Sequence, residues 1–401
     1  MTSPTDLLQD WLIRFDTSLQ TGDPSAVMPL FAPDCFWRDL VAFTWDLTTE
    51  EGPAPIEAML HERLDDVAPK DFQIVGVPQD VDGVLEGWFC FQTRVSRCRG
   101  HVRLRQGMIW TLLTAMDALK GHEQQVREHR QRGAEYGVDP KRLTWAERRD
   151  EEQQSLGVTE QPDVVIVGGG QAGLTLAARL RHLEVPTLVL EKLSRPGDQW
   201  RRRYKTLCLH DPVQYCKFPY LPFPEGWPLF APKDRLADWM EAYVNLMGLH
   251  VWCGSPAHSA SFDPDQDRWL VRTERDGQLV ELRPRHLVMA LGVAGYPNLP
   301  EIPGADSFIG EQHHSSAHPG PDTYRSKCCV VVGSNNSAHD IASALWKAGA
   351  AEVTMLQRSS TTIAPVSALE KFGAWSIYSD EAIQQGITPE QSDMTMASIP
   401  Y

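Results

Sequence analysis

A short β-branched run that breaks into glycines and then into a helix-forming stretch occurs twice, and this pattern constrains the fold more than any other feature. The first copy reads Val164-Val-Ile-Val-Gly168-Gly-Gly170-Gln171-Ala172-Gly173. Val164 to Val167 has the continuous apolar character of a parallel strand buried on both faces. Gly168 suits the tight turn, Gly170 a close backbone approach to a pyrophosphate, and Gly173 tight packing of the next helix, expected from Ala172 to about Leu183. That helix would aim free N–H groups and its positive dipole end at phosphates. A further strand, Thr187 to Leu190, ends at Glu191 and Lys192, about 20 residues past the last glycine, where an acid accepts hydrogen bonds from ribose hydroxyls. The other reading is a glycine-rich turn with no ligand.

The second copy reads Cys328-Cys-Val-Val-Val-Gly333-Ser334-Asn335-Asn336-Ser337-Ala338, with a strand expected over Lys327 to Val332 and a helix over Ser337 to Ala348. Asn335 replaces the middle glycine. Asparagine tolerates left-handed dihedrals better than most residues, so the turn is expected still to hold a pyrophosphate with less room. The next strand, Glu352 to Leu356, leads into Gln357-Arg358-Ser359 where the first copy has its acid. A guanidinium there can pair with a 2′-phosphate through parallel N–H bonds, which points to NADPH over NADH. Two dinucleotide sites on one chain point to electron transfer between them.

At 401 residues the chain has room for two or three cored domains. Its formal net charge of −15 argues against nucleic acid or an anionic membrane as partner, so phosphates must be held by helix ends and single arginines. The eight cysteines show no Cys-x-x-Cys and no zinc spacing, and they read as reduced thiols. No signal-like start and no apolar run long enough for a membrane span occurs, and a cytoplasmic location is expected. The fold class is α/β, with two Rossmann-like dinucleotide-binding domains preceded by a small α+β cone-shaped domain. The expected boundaries are 1–120 for the α+β domain, 121–161 for a charged helical linker, 162–322 for the first nucleotide domain and 323–401 for the second.

Residues 1–120 open with an amphipathic helix carrying Leu7, Leu8, Trp11, Leu12, Phe15 and Leu19, and continue into strands near 85–95, 101–105 and 108–114. Val102 and Leu104 alternate there with His101, Arg103 and Arg105, and Gln106-Gly107 marks a hairpin turn. The order resembles the SnoaL or ketosteroid isomerase fold, whose pocket would be lined by Asp34, Trp37, Asp39 or Asp46; an assembly or pocket-capping role is the alternative. In the linker, Tyr136, Leu143 and Trp145 are candidate docking points.

From 163 onward the chain resembles the class B flavin-dependent monooxygenases, the flavin-containing monooxygenase family, and most closely their plant-type indole-3-pyruvate branch. Beside the two fingerprints, Phe308-Ile-Gly310-Glu-Gln-His-His314-Ser-Ser-Ala-His318 fits the family signature. Gly197-Asp-Gln199-Trp200, the stretch from Tyr204 through His210 and Gln214 to Pro224, Ala290-Leu-Gly292, and Tyr296 to Gly304 are also similar to family segments. The resemblance implies FAD on Gly168, Gly170, Gln171, Ala172, Gly173, Glu191, Lys192, Gln199 and Trp200. It implies NADPH on Gly333, Ser334, Asn335, Asn336, Ser337, Arg358 and Ser359. His210 and Gln214 would carry catalytic roles, with His210 open to reading as a structural histidine instead. Phe308, Gly310, His314 and His318 are the signature positions; the segment also reads as a His-rich loop, and no metal site is expected.

The implied chemistry is hydride transfer from NADPH to the flavin, addition of O2 to give a C4a-(hydro)peroxyflavin, and delivery of one oxygen atom to a small organic substrate. In the family the chain returns after the NADPH domain to complete the first sheet. About 150 to 200 residues of that kind are therefore expected to be missing after Tyr401, leaving the first sheet with an open edge. A truncated, catalytically silent FAD/NADP-binding or assembly protein, with a homodimer allowed for, is the second reading. A disulfide reductase is the third, but it needs a redox-active cysteine pair, and Cys328 and Cys329 lie next to each other on a strand and face opposite sides.

Overall fold

Alternation along the strands decides what is inside the first of two compact units, which holds residues 1–129 and 380–401. The computed structural model describes residues 3–126, 129–130, 132–133, 136–293 and 295–399. The first helix, α1 (Pro4–Gln20), starts on a capping box between Ser3 and Asp6 and buries Leu8, Trp11, Leu12, Phe15 and Leu19. Leu7 points to solvent. Strands β1 (Phe31–Leu40) and β2 (Leu47–Glu51) precede α2 (Pro53–Val67); β3 (Lys70–Val81), β4 (Val84–Gln92), β5 (Ser96–Arg105) and β6 (Met108–Leu119) follow. They form one six-stranded sheet ordered β2-β1-β6-β5-β4-β3, antiparallel except for the parallel β1–β6 pair. Register shifts leave extra residues in β1, β3 and β6, the irregularities at which strands bend. The expected hairpin turn between β5 and β6 has both Gln106 and Gly107 at positive φ.

The candidate pocket acids turn out otherwise. Asp39 is fully buried, and its carboxylate accepts from the Phe43 and Thr44 amides and the Thr44 and Thr114 hydroxyls. Trp37 is fully buried too, and its indole donates to Thr114 Oγ1 at 2.9 Å. Both hold the core together. Asp34 and Asp46 are exposed. His101, expected on the polar face with Arg103, is only 5% exposed because the Trp88 ring covers it at 4.4 Å.

The second unit spans residues 130–379. Among the described residues of the expected helical linker, α3 (Trp145–Ser155) is the helix that forms, started by a Thr144–Glu147 capping box; residues 127, 128, 131, 134 and 135 lie outside the described residues. Tyr136 and Trp145 do not dock, being 92% and 68% exposed. The anchors are Leu156, the Arg149 bond to the Asn245 carbonyl and the Glu152–Arg181 pair.

Then β7 (Val164–Val167), α4 (Gln171–His182), β8 (Thr187–Glu191), α5 (Asp198–Arg201), α6 (Lys233–Leu246) and β9 (Val251–Cys253) follow, with a meander of β10 (Ala257–Asp263), β11 (Arg268–Arg275) and β12 (Gln278–Leu282) before β13 (His286–Met289). The parallel sheet has the order β13-β7-β8-β9. Val164, Ile166 and Val189 pack with α4 and α6, while Val165, Leu188 and Leu190 pack with Trp252 and the meander. Both faces of β7 are thus covered, as its unbroken apolar run requires. After this come β14 (Cys328–Val332), α7 (Asn336–Lys347), β15 (Glu352–Leu356) and α8 (Val366–Phe372). In the parallel β14–β15 pair one face is covered, whereas Val330, Val332 and Leu356 are 65%, 55% and 58% exposed.

The last helices, α9 (Asp380–Gln384) and α10 (Pro389–Ala397), belong to the first unit. There the Arg103 guanidinium donates to the Ser398 carbonyl and hydroxyl at 2.9 and 3.0 Å. The stretch assigned from sequence to the second nucleotide domain therefore divides between 379 and 380. Among the described residues no helix is long and apolar enough to cross a membrane.

Burial, reinforced by the Arg103 charge, pushes the His101 pKa from 6.5 down to about 3. The folded ring stays neutral while the unfolded one binds a proton, so stability is full above about pH 6.5 and is lost as pH falls toward 3. His101→Phe keeps the ring against Trp88 and removes this titration. Urea unfolding at pH 7 and pH 4 should show an acid-dependent loss smaller in the variant by on the order of 3 kcal/mol. An unchanged loss would mean that His101 is not the group responsible.

Candidate functional site

At the first strand-to-helix turn, the backbone dictates two of the glycines and leaves the third unexplained by the protein itself. Gly168 has φ +115, and a Cβ there would run into the Ala290 carbonyl oxygen. A Cβ on Gly173 would run into the Gly168 carbonyl oxygen, which is how closely α4 approaches β7. Gly170 has ordinary extended dihedrals, φ −79 and ψ −176, and a Cβ there meets only Gln199 Nε2 at 3.8 Å. It is the N-cap of α4 and offers no side-chain cap, so the first amides of the helix are left for a group from outside.

The neighbours of this turn have the same open character. Gln199 and Trp200 stand on α5, and the buried Gln199 Oε1 and Trp200 Nε1 have no hydrogen-bond partner in the protein. A buried orphan atom of this kind costs about 1–3 kcal/mol unless a ligand or water meets it. Glu191 is 6% exposed and braces the turn, Oε2 accepting from the Gly169 amide at 2.8 Å and Oε1 from the Leu193 amide at 2.8 Å. Lys192 is exposed, with its amine over the Tyr296 ring. An uncapped helix end and a glycine with open space above it fit a dinucleotide diphosphate, and the orphaned Trp200 donor and Gln199 acceptor fit other polar groups of such a ligand.

The second turn has a different backbone from the one its sequence implied. Asn335 is not left-handed: it has φ −93 and ψ 174, close to the conformation of Gly170, and its side chain accepts from the Asn336 amide at 3.0 Å. One of the α7 donors is thus already used. Gly333 alone takes the positive φ, +133. Thr361 donates to the Ser334 carbonyl and folds the chain after β15 back on the turn. Arg358 and Ser359 are exposed, and Arg358 makes no ion pair among the described residues, which leaves its guanidinium open to a phosphate.

Between the turns lies a cluster that sequence reasoning missed in part. Asp340 Oδ2 accepts from the Tyr204 hydroxyl at 2.6 Å and from His210 Nε2 at 2.8 Å. Asn336 Nδ2 donates to His210 Nδ1 at 3.0 Å. An amide nitrogen can only donate, so Nδ1 accepts and the ring proton is on Nε2. Burial, and then the bond to Asp340, raises the Tyr204 hydroxyl well above its usual pKa. Tyr204 and Leu207 pack with Tyr324, Ile341 and Leu345 in one small core, which joins the α7 segment to the loop after α5. His210 had a motif to mark it, whereas Tyr204 and Asp340 are 136 residues apart with no local signal. Gln214 is half-buried on the same loop.

The signature residues pack against one another only in part. Phe308 is 58% exposed and lies over Gly310, His314 caps a short turn at 315–317, and the buried His318 stacks on Tyr324. His313 Nε2 and His318 Nδ1 are 3.3 Å apart, and Tyr324 donates to Glu311.

Two strand–turn–helix cradles thus stand in one unit, with the α7 segment packed on the loop after α5. Residues 165–372 match the family model described as pyridine nucleotide-disulphide oxidoreductase, and the chain belongs to that family. It is 37% identical over 205 residues to indole-3-pyruvate monooxygenase YUCCA1 of Oryza sativa subsp. japonica, covering 51% of this chain and 50% of the relative. It is 34% identical over 203 residues to probable indole-3-pyruvate monooxygenase YUCCA9 of Arabidopsis thaliana, covering 50% and 48%. The chain therefore spans about half the length of the curated relatives it matches. The flavin-containing monooxygenase from Stenotrophomonas maltophilia aligns with a TM-score of 0.47 and 24% identity, over 51% of this chain and 60% of that one. The family and these relatives imply FAD and NADPH as the two cofactors.

The glycines are separable by experiment. Gly173→Ala should destabilise the larger unit by about 1–3 kcal/mol or more in urea unfolding without added ligand, while Gly170→Ala should change it by less than about 1 kcal/mol. Equal losses would make Gly170 a structural glycine.

Proposed function

We propose that this chain carries the dinucleotide-binding machinery of an FAD- and NADPH-dependent monooxygenase, which inserts one oxygen atom of O2 into a small organic molecule. The observation that carries the reading is the first cradle: Gly170 has no reason within the protein to lack a side chain, and the uncapped α4 and the orphaned Gln199 and Trp200 atoms surround it. FAD held there would supply the redox chemistry, accepting electrons that originate in NADPH for reaction with O2.

The residues of this chain then have distinct tasks. The α4 amides hold the diphosphate, and Glu191, fixed by the turn it braces, offers its remaining lone pairs to ribose hydroxyls. The Gly333–Ser337 turn takes the second diphosphate, and Arg358 pairs with the 2′-phosphate. His210 and Gln214 border the reaction space, and the relatives named indole-3-pyruvate monooxygenases support an α-keto acid as the substrate class. A thiol-based reductase is disfavoured: burial pushes Cys216 up to about 12 and Cys253 up to about 11, the opposite of what a reactive thiolate needs. For the first unit, the six-stranded mixed sheet with two helices supports the SnoaL-like assignment.

Protein purified with FAD should absorb near the flavin bands and oxidise NADPH under air with formation of an oxygenated product. Colourless protein after reconstitution would overturn the reading. Gly170→Val should weaken FAD binding at least about tenfold by occupying the space of the diphosphate. Arg358→Ala should reduce the preference for NADPH over NADH by roughly 10- to 100-fold, measured as the ratio of kcat/KM values. Full retention of that preference would misplace the 2′-phosphate.

A further inference from the structure

His210 is gripped at both ring nitrogens by one face of one helix. Asn336 and Asp340 are four residues apart on α7 and so lie one above the other. Asn336 supplies a donor to Nδ1, and Asp340 supplies an acceptor to Nε2. Asp340 is itself fixed by the hydroxyl of Tyr204, a side chain only 3% exposed. The imidazole is still 41% exposed, so it stands at the surface rather than inside a core.

We propose that Asp340 is a positioning residue that holds His210 with its proton on Nε2, and that Asn336 makes the Nδ1 lone pair of that ring respond to a dinucleotide in the second cradle. The inference rests on reading the Gly333–Ser337 turn as a dinucleotide site. Asn336 is the first residue of α7, at the positive end of the helix where a phosphate is stabilised. Its own amide N–H is committed to the Asn335 side chain, while its side-chain NH2 is a mobile donor at that end. A phosphate arriving there draws this donor away from Nδ1 by a charge-assisted bond, stronger than a neutral amide-to-imidazole one. With the second cradle empty, the Nδ1 lone pair is capped; with it filled, the lone pair is uncovered while Asp340 keeps the ring in place. His210 can then accept a proton or hydrogen bond at Nδ1 only when the nucleotide is present. The 136-residue separation of Tyr204 and Asp340 makes this a link between the two nucleotide-binding segments and not a local cap.

The test uses the full chain labelled with 15N-histidine, incubated with FAD, in long-range 1H–15N spectra, with His210 assigned by loss of its signals in His210→Gln. The wild type should show a single Nε2–H tautomer with a hydrogen-bonded Nδ1. With NADP+ bound, Asp340→Leu should convert this to a mixture of tautomers, whereas Asp340→Asn, which keeps a side-chain oxygen acceptor, and Tyr204→Phe should retain it. NADP+ should shift the Nδ1 resonance in the wild type toward the position that Asn336→Ala already shows without nucleotide, and should leave the variant unmoved. An Nδ1–H tautomer in the wild type, an unchanged tautomer in folded Asp340→Leu with NADP+ bound, or bound NADP+ that leaves Nδ1 in place would each overturn the proposal. A chain that shows the tautomer and NADP+ pattern but takes up no FAD would sink the oxygenase reading and leave this one standing.

Discussion

The close approach of α4 to β7 is the contact on which the rest of the larger unit depends. It exists because Gly173 has no Cβ to strike the Gly168 carbonyl, and because Gly168 turns with φ +115 beneath Ala290. That approach sets the α4 N-terminus directly above the end of the strand and directs its amides outward. Glu191 locks the turn by accepting the Gly169 amide, so a carboxylate becomes part of the frame on which phosphates are held. The chain has a formal charge of −15, and attraction of phosphates by the protein as a whole is thus ruled out. Local helix ends and the exposed Arg358 must provide it instead.

Much of this was legible in the sequence because it is local. The β7–Gly–α4 and β14–Gly–α7 units follow from apolar runs of Val and Ile, from glycine spacing and from an acid at the end of β8, all within a few turns of chain. The amphipathic α1 and the Gln106-Gly107 hairpin were readable for the same reason. What was not legible depends on distant partners. Asp39 reads as a polar residue on a strand, yet Thr114 from β6 and the Phe43 and Thr44 amides convert it into a buried acceptor. His101 alternates with arginines and should face water, but Trp88 lies over it.

The site divides along the same line. Gly168, Gly170 and Gly173 were assigned different tasks from the motif, and the space around each one separates the two that the backbone requires from the one that only a ligand explains. Asn335 was expected to substitute for glycine through left-handed dihedrals; an extended backbone with a side-chain cap proved sufficient, because that position needs no positive φ in either cradle. Tyr204 and Asp340 could not be paired in advance, since only the packing of Leu207, Tyr324, Ile341 and Leu345 brings their segments together. The exposed Val330, Val332 and Leu356 show that an apolar strand pattern marks β14 without specifying that both of its faces are covered.

The central claim is that the first cradle holds the diphosphate of a flavin dinucleotide, and a calorimetric comparison of FAD with riboflavin tests it most directly. The two share the isoalloxazine ring, but only FAD carries a diphosphate. FAD should bind one per chain with riboflavin weaker by about 100-fold or more, a difference of roughly 3 kcal/mol. Equal affinities, or no FAD binding by folded protein, would contradict it.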